Sequence, residues 1–506
     1  MKTSKLNDRV LPKLPGLPGK ALAGAYILVA LLPILVVSIM GRIAPASPLT
    51  EFGTALGLTA TSLLFLQFLS SGRYERISGQ VGLDRTMGFH RIAALVLFGF
   101  VILHPLFYVA ETLFVDPHAA WDRLWGMLSS SRLRTGLLAL VGLFVVVGFA
   151  TIRSSPFIRY EFWRVSHSTL AIVVAAFSLH HALSVGAYSA EYPLRFVWFV
   201  FAFAAAVAIF LVYVVRPWRM WREDWRVDRV TPLAPDVWEL VLRGPDATRL
   251  RFKGGQFVWM TLSPHRPPFH DHPFSIASAA TSLPWLRFVI QEAVDCTSGL
   301  GKIEHCTRVA IDGPHGSFVL PAGEGPVVMI AGGVGIAPFL GMLEEAAALE
   351  ERRPIRLVYA AHNTKGLASL TRLRELQSEL DLVIYCVVEE ELPNSDNLVG
   401  PLGKQHILDS LEGLQTEKLT ALVCGPPGMM EIATDALLAR GLSAGSIHYE
   451  RFDYAAGKGQ LDRVRRTDAL IPYMIMVAAM IAFSLRKRPI LRRSKQIGNN
   501  LCANNR

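Results

Sequence analysis

Histidines set in long apolar stretches are the residues of this chain whose type and spacing point most directly to chemistry. The stretch "FHRIAALVLFGFVILHP", residues 89–105, carries His90 and His104, and "SHSTLAIVVAAFSLHH", residues 166–181, carries His167, His180 and His181. His104 follows His90 by fourteen residues, about 21 Å along a helix and nearly on the same face. An ionisable side chain within a membrane span is costly and marks function, and histidine is an axial ligand of haem iron. Two helices running the same way, each with a histidine at two depths, predict two bis-histidine haems stacked across a bilayer. His90 would pair with His167, and His104 with His180 or His181. The fourteen-residue spacing favours His181, because thirteen turns the side chain away unless the helix is overwound or kinked. For His90 alone, beside Arg91, a place at the membrane boundary is the simpler account. Histidines at matched depths on two helices are not explained that way.

The elements that must carry these histidines are legible in composition. Hydrophobic residues make up 51% of the 506 and charged ones 18%, with a mean hydropathy of +0.35. The apolar residues are uneven: residues 21–215 hold long uncharged runs, and 216–460 read as a soluble unit. Six runs, 21–40, 52–70, 88–109, 136–152, 167–186 and 194–215, approach the ~20 residues a spanning helix needs. Basic residues cluster before the first run, at Arg73, Arg76 and Arg85, at Arg153, Arg159 and Arg164, and from Arg216 to Arg226. The positive-inside bias then places the N-terminus and residues 216 onward in the cytosol and predicts a multi-pass protein of the cell (inner) membrane. The first run is long enough to span and lacks the usual small-residue cleavage site, so no cleavable signal is expected. The net charge of +10 is accounted for by inside loops and tails, and nucleic acid is not an expected partner.

The soluble unit changes pattern once. Residues 226–320 show short alternating strands with many turns, including "VWELVLRG", "GQFVWMTL" and "LRFVIQEA", the pattern of a small antiparallel barrel. From 327 the pattern is strand, glycine-rich turn, helix: "VVMIAGGVGIAPFLGMLEEAAAL". Bare amides at a helix start suit a pyrophosphate. The further strands "IRLVYAAHN", "DLVIYCVV" and "LTALVCGPPGMM" argue for a doubly wound parallel sheet.

With "HPFSIAS", "GGVGIAPF" and "CGPPGMM" in order behind the histidines, the soluble unit resembles the ferredoxin–NADP reductase superfamily. The "HPFSI" form is similar to its NADPH oxidase and ferric reductase branch, and the apolar unit resembles the ferric-reductase-like transmembrane domain. The resemblance implies a six-helix transmembrane haem domain (21–215), an FAD-binding antiparallel β-barrel (222–322) and a doubly wound α/β nicotinamide-binding domain (325–455). It implies that His272, Pro273, Phe274 and Ser275 contact the flavin and its phosphates, and that Thr297 and Ser298 match the second flavin-phosphate segment. Gly332, Gly333, Gly335 and Pro338 would line the nicotinamide cofactor's pyrophosphate. Cys424, Gly425 and Pro426 would lie near the nicotinamide, and Phe452 against the isoalloxazine ring. The family's usual spacing on its fifth helix favours His180 over His181.

The chain then runs on from 456 to 506 as a basic extension with an apolar helix. Its apolar part, 469–485, is short for a span, and a span would carry Arg486, Lys487 and Arg488 outward. An interfacial or docking helix is therefore expected, with a seventh span as the alternative. The five cysteines, Cys296, Cys306, Cys386, Cys424 and Cys502, form no close cluster, so no iron–sulfur site is expected. The whole predicts a transmembrane oxidoreductase that takes electrons from NAD(P)H through FAD and two b-type haems. The acceptor would be small and diffusible: dioxygen, which the "HPFSI" form favours, or ferric iron. Two other classes compete, a haem-binding relay subunit serving a quinone or protein partner and a histidine proton channel. NADPH is expected over NADH, because the second strand ends "YAAHNTK" without an acid and with Lys365, Arg372 and Arg374 nearby.

Overall fold

The computed structural model describes residues 18–40, 45–71, 81–152, 158, 160–262, 270–292, 297, 299–390, 397–451, 457 and 459–486. The apolar region forms α1 (Gly19–Met40), α2 (Pro48–Leu69), α3 (Leu83–Leu113), α4 (Pro117–Ser129), α5 (Arg134–Thr151), α6 (Tyr160–Val185), α7 (Tyr192–Phe210) and α8 (Arg216–Arg222). All but α4 and α8 coincide with the six runs. Local chemistry sets where some begin. Ser47 caps α2 by accepting the Thr50 amide, and Asp116 caps α4 by accepting those of His118 and Ala119, each with a proline in the first turn.

Twelve described strands form two sheets. The first is antiparallel and ordered β4-β3-β6-β1-β2-β5, with β1 (Trp225–Ala234), β2 (Val237–Arg243), β3 (Phe257–Thr261), β4 (His272–Ser275), β5 (Trp285–Gln291) and β6 (Arg308–His315). Its ends meet: Ile276, just past β4, bridges to Phe288 on β5, and the Ala277 amide donates to Arg287 O at 2.7 Å. This closure makes the sheet a barrel around Trp225, Leu240, Phe252 and Phe288. The second sheet is parallel and ordered β10-β9-β8-β7-β11-β12, with β7 (Val327–Gly332), β8 (Ile355–Ala361), β9 (Leu382–Val388), β10 (Leu398–Val399), β11 (Thr420–Cys424) and β12 (Ile447–Glu450). Its strands alternate between two cores. Val327, Met329 and Ala331 face α9 (Ala337–Ala348) and α10 (Leu370–Leu376). Val328 and Ile330 face α11 (Lys404–Ser410) and α12 (Pro427–Ala439).

The helix count corrects one expectation. Seven described helices, not six, are long and apolar enough to cross a membrane. The seventh is α13 (Gln460–Ser484), read from sequence as an interfacial helix over 469–485. Its 25 residues extend about 37 Å. The extra length is the charged segment from Asp462 to Asp468, from which Asp462 and Arg465 reach the sheet domain. Tyr473, Met476, Met480 and Phe483 are buried in one core with Leu56, Leu63 and Leu97. At its far end Arg486, which the positive-inside argument counted against a span, is 3.0 Å from buried Glu51 and donates to the Tyr188 hydroxyl at 2.7 Å. The basic tail from Lys487 onward lies outside the described residues.

The sheet domains lie against one end of the bundle, called proximal below. Arg164 on α6 pairs with Asp271 beside β4. Arg216 lies 3.3 Å from Asp312 on β6. Asp84 in the first turn of α3 accepts the Arg451 amide at 2.9 Å.

Candidate functional site

In the bundle, α3 packs on α2 and α6 packs on α5, while α3 and α6 make no extended contact with each other. Their histidines nevertheless interact in pairs across that separation. His90 lies in electrostatic reach of His167 toward the proximal end, and His181 lies in reach of His104 toward the distal end. The family spacing favours His180 and the fourteen-residue spacing His181, and it is His181 that lies in reach of His104. His180 is exposed, with Nδ1 3.2 Å from Thr135 Oγ1. A 3.6-residue helix returns to one face after fourteen residues and not after thirteen, and α6 keeps regular α-helical form through this stretch.

The rings are held in ways that suit metal ligation. His104 Nδ1 lies 2.7 Å from Gly53 O. A carbonyl only accepts, so Nδ1 carries the proton and Nε2 is the bare nitrogen. His90 Nδ1 is 3.2 Å from Ser70 Oγ, and Gln67 donates to the His90 carbonyl at 3.0 Å. Trp163 stacks on His167 with centroids 5.2 Å apart. The His181 Nδ1 is buried with no hydrogen-bond partner. Two glycines give the distal rings their room: a Cβ at Gly57 would stand 2.6 Å from the His104 ring, and one at Gly136 would stand 2.6 Å from the His181 ring. Paired imidazoles on helices held apart fit a flat, metal-bearing group such as haem.

The proximal end of α6 meets the "HPFS" strand. His272, Pro273 and Phe274 are half-buried on β4, and Ser275 is buried with its Oγ lacking a hydrogen-bond partner. An orphaned buried hydroxyl fits a ligand oxygen or phosphate at this point. Glu161, in the first turn of α6, lies 3.7 Å from His270 Nδ1 and 4.0 Å from His272 Nε2. Thr297 is buried, whereas Ser298 lies outside the described residues. Sequence reading missed Glu161, Arg164 and Asp271. Their only signal was acid and base at adjacent helical turns opposite the polar "FHDHPF".

In the parallel sheet the order of strands reverses between β7 and β11, where open α/β sheets bind ligands. Both strands end there in glycine turns. Gly333 has φ +53°. A Cβ at Gly332 would meet Met429 Sδ at 2.5 Å and Pro426 at 2.8 Å, and one at Gly335 would meet the Cys424 carbonyl. Gly425 closes on Gly332 in the same way, so the two turns form one shallow cradle. Pro338 is buried in the first turn of α9 rather than on its rim. Cys424 is buried, and burial, with the nearby Glu450 and Asp84 carboxylates, raises its thiol well above the ordinary range. Phe452 lies outside the described residues. At the end of β8, Lys365 and Arg374 are exposed. Arg372 is held by Glu344 at 3.0 Å and Glu375 at 2.9 Å, and Glu344 also pairs with Arg287 of the barrel.

Comparison with known proteins agrees with this division. Residues 56–178 match the family described as ferric reductase like transmembrane component, and residues 329–435 match the oxidoreductase NAD-binding domain. The chain is 32% identical over 148 residues to the 2-halobenzoate 1,2-dioxygenase electron transfer component of Burkholderia cepacia, covering 29% of this chain and 43% of that one. It is 27% identical over 237 residues to the propane 2-monooxygenase reductase component of Rhodococcus jostii, covering 45% and 62%. The chain thus spans less than two thirds of the length of either relative. Among solved structures it is similar to a flavohemoglobin from Malassezia yamatoensis, with 19% identity, a TM-score of 0.44, and coverage of 73% of this chain and 98% of that one. Taken with the geometry, the chain joins a ferric-reductase-like transmembrane component over residues 56–178 to an oxidoreductase NAD-binding domain over residues 329–435, with an antiparallel barrel between them.

Proposed function

We propose that the chain moves electrons from NAD(P)H on the proximal side, through FAD and two haems, to a small acceptor on the distal side. The observation that carries this reading is that His181 on α6 lies in reach of His104 on α3, while the proximal end of the same α6 pairs through Arg164 with Asp271 beside the "HPFS" strand. His90 and His167 would hold one haem, and His104 and His181 the other. His272, Pro273, Phe274, Ser275, Thr297 and Ser298 would hold FAD, with Phe452 against its ring. Gly332, Gly333, Gly335, Gly425 and Pro426 would receive the pyridine nucleotide beside Cys424. When bound, these groups convert a two-electron hydride donor into single-electron carriers.

The chain's own residues do the rest. Gly53 O fixes the His104 tautomer, and Gly57 and Gly136 leave the distal imidazoles unobstructed. His90 with His167 and His104 with His181 would supply both protein ligands of a bound haem, so the acceptor would be reduced without binding the metal. That suits dioxygen, which leaves as superoxide, or a ferric chelate drawn to Arg123, Arg132 and Arg134. Arg85, Arg164, Arg216, Arg219 and Arg222 all lie at the proximal end, which supports a cytosolic place for the sheet domains. Lys365 and Arg374 support NADPH over NADH, whereas Arg372 is already held by two carboxylates.

The test is an absorption spectrum of the purified chain, taken anaerobically before and after NADPH. It should show two six-coordinate, low-spin haems that become reduced. A native chain without haem iron refutes the reading. Vesicles with NADPH on the proximal side then identify the acceptor. Superoxide on the distal side makes the protein an oxidase, and anaerobic ferrous iron without superoxide in air makes it a ferric reductase.

A further inference from the structure

The last strand of the parallel sheet is gripped by two membrane helices at once. Strand β12 pairs with β11 so that Glu450 stands in register with Cys424. One residue on, the Arg451 amide donates to Asp84 Oδ2 at 2.9 Å. Asp84 lies in the first turn of α3, six residues before His90. The Arg451 guanidinium, itself buried, lies 3.4 Å from Asp462 in the first turn of α13. Asp462 also accepts the Tyr449 hydroxyl at 2.5 Å. Further along α13, Arg465 donates to the Ile447 carbonyl at 2.9 Å and sits 4.1 Å over the Tyr449 ring.

Each acid sits in the first turn of its helix, and each directs its carboxylate to the end of a strand in the sheet domain. Buried ion pairs contribute little net stability, and a role in fixing registry is their best-attested use. The rest of α13 supports such a role. Its middle packs Tyr473 on Phe89, the neighbour of His90, with centroids 5.7 Å apart, and its distal end is pinned through Arg486 to Glu51. The helix therefore spans from the sheet domain to the far side of the bundle with a fixed contact at each end.

We propose that Asp84 and Asp462 are positioning residues that hold the nicotinamide domain's last strand in register with α3 and α13, so that electron passage from flavin into the bundle depends on them. The inference rests on the function proposed above and adds that docking is built in permanently by the seventh helix.

The full-length chain is tested in detergent with Asp84→Ala, Asp84→Asn and Asp462→Ala. The first readout is amide hydrogen exchange over 447–451, which needs no cofactor. Asp84→Ala should speed exchange at Arg451 about tenfold, and Asp84→Asn, which keeps an acceptor oxygen, should restore protection. The second readout separates two steps: NAD(P)H-driven ferricyanide reduction at the flavin, and NAD(P)H-driven haem reduction. Both alanine variants should slow haem reduction about tenfold or more and leave ferricyanide reduction within about twofold of the parent, and Asp84→Asn should keep haem reduction near the parent rate. Unchanged exchange overturns the contact. Altered exchange with unchanged haem reduction overturns the positioning role. An equal fall in both steps overturns it too, since the acids would then serve the nicotinamide site itself. A parent chain that holds no haem or flavin refutes the proposed function instead, while the exchange result still reports whether the clamp exists.

Discussion

At the scale of single residues, the chemistry turns on which of two adjacent histidines faces the bundle interior. His181→Leu should cut haem bound per chain to about half, because one of two iron positions loses a ligand. His180→Leu should leave the haem content intact. The measurement is haem absorbance per protein, and equal loss in both variants would count against the assignment. Gly136→Val should mimic His181→Leu, since the added side chain meets the imidazole at once. Cys424 allows a second test. A thiol raised by burial holds its proton, and only the thiolate is nucleophilic. In the native protein near neutral pH, iodoacetamide should modify exposed Cys306 and spare Cys424. Mass-spectrometric mapping reads the outcome, and early labelling of Cys424 would contradict the buried site.

At the scale of elements, α13 is held at its distal end by one buried charge. Glu51 is 3% exposed and touches the Ala46 amide, Tyr188 and Arg486. Replacing Arg486 with leucine strands that carboxylate and should destabilise the bundle by about 3 kcal/mol, the lower end for a broken buried pair because Arg486 is partly exposed. Glu51→Gln together with Arg486→Leu should recover much of the loss. Thermal unfolding in detergent measures both, and an unshifted single variant would show the pair to be idle. A milder link joins β8 to β9, where exposed His362 lies 3.0 Å from Glu389 and 3.3 Å from Glu390. The hydrogen bond His362 donates to Glu389, helped by the Glu390 charge, raises His362 above its ordinary 6.5. A raised folded-state value means the stabilisation is complete below the unfolded value and is lost as pH rises through the folded one. The melting temperature of the parent should therefore exceed that of His362→Gln at about pH 5.5 and match it at about pH 9. A difference that grows with pH would reverse the sign.

At the scale of the whole molecule, the number of spans decides where the chain ends. With seven, residue 18 before α1 and residue 486 after α13 lie on opposite faces, whereas six would leave them together. Single cysteines placed at Pro18 and at Arg486 in a chain stripped of its own should react with an impermeant maleimide from opposite sides of sealed vesicles. Labelling from one side only would restore the six-span topology. The domains are joined at the proximal end by Arg164–Asp271, Arg216–Asp312 and Asp84–Arg451, each linking the first turns of a histidine-bearing helix or the exit of α7 to a strand beside a cofactor motif.

The sequence by itself determined what depends on local pattern. Apolar length marked the spans of α1, α2, α3, α5, α6 and α7, alternation marked the barrel, and strand–glycine–helix order marked the parallel sheet, because each reports a periodicity imposed by its own backbone. The spacing of His90, His104 and His167 was equally legible, and helical geometry alone favoured His181 over His180. Tertiary structure decided whatever depends on a partner distant in the chain. It made α13 a seventh candidate span, because the charge that argued against it, Arg486, finds Glu51 some 435 positions earlier. It brought Asp84, Glu161 and Arg164 to the cofactor strands, since unlike charges separated by long stretches of sequence leave no periodic trace. It also assigned Arg372 to Glu344 and Glu375, because an arginine's partner is fixed by the packing of α9 and α10 and not by its place after a strand.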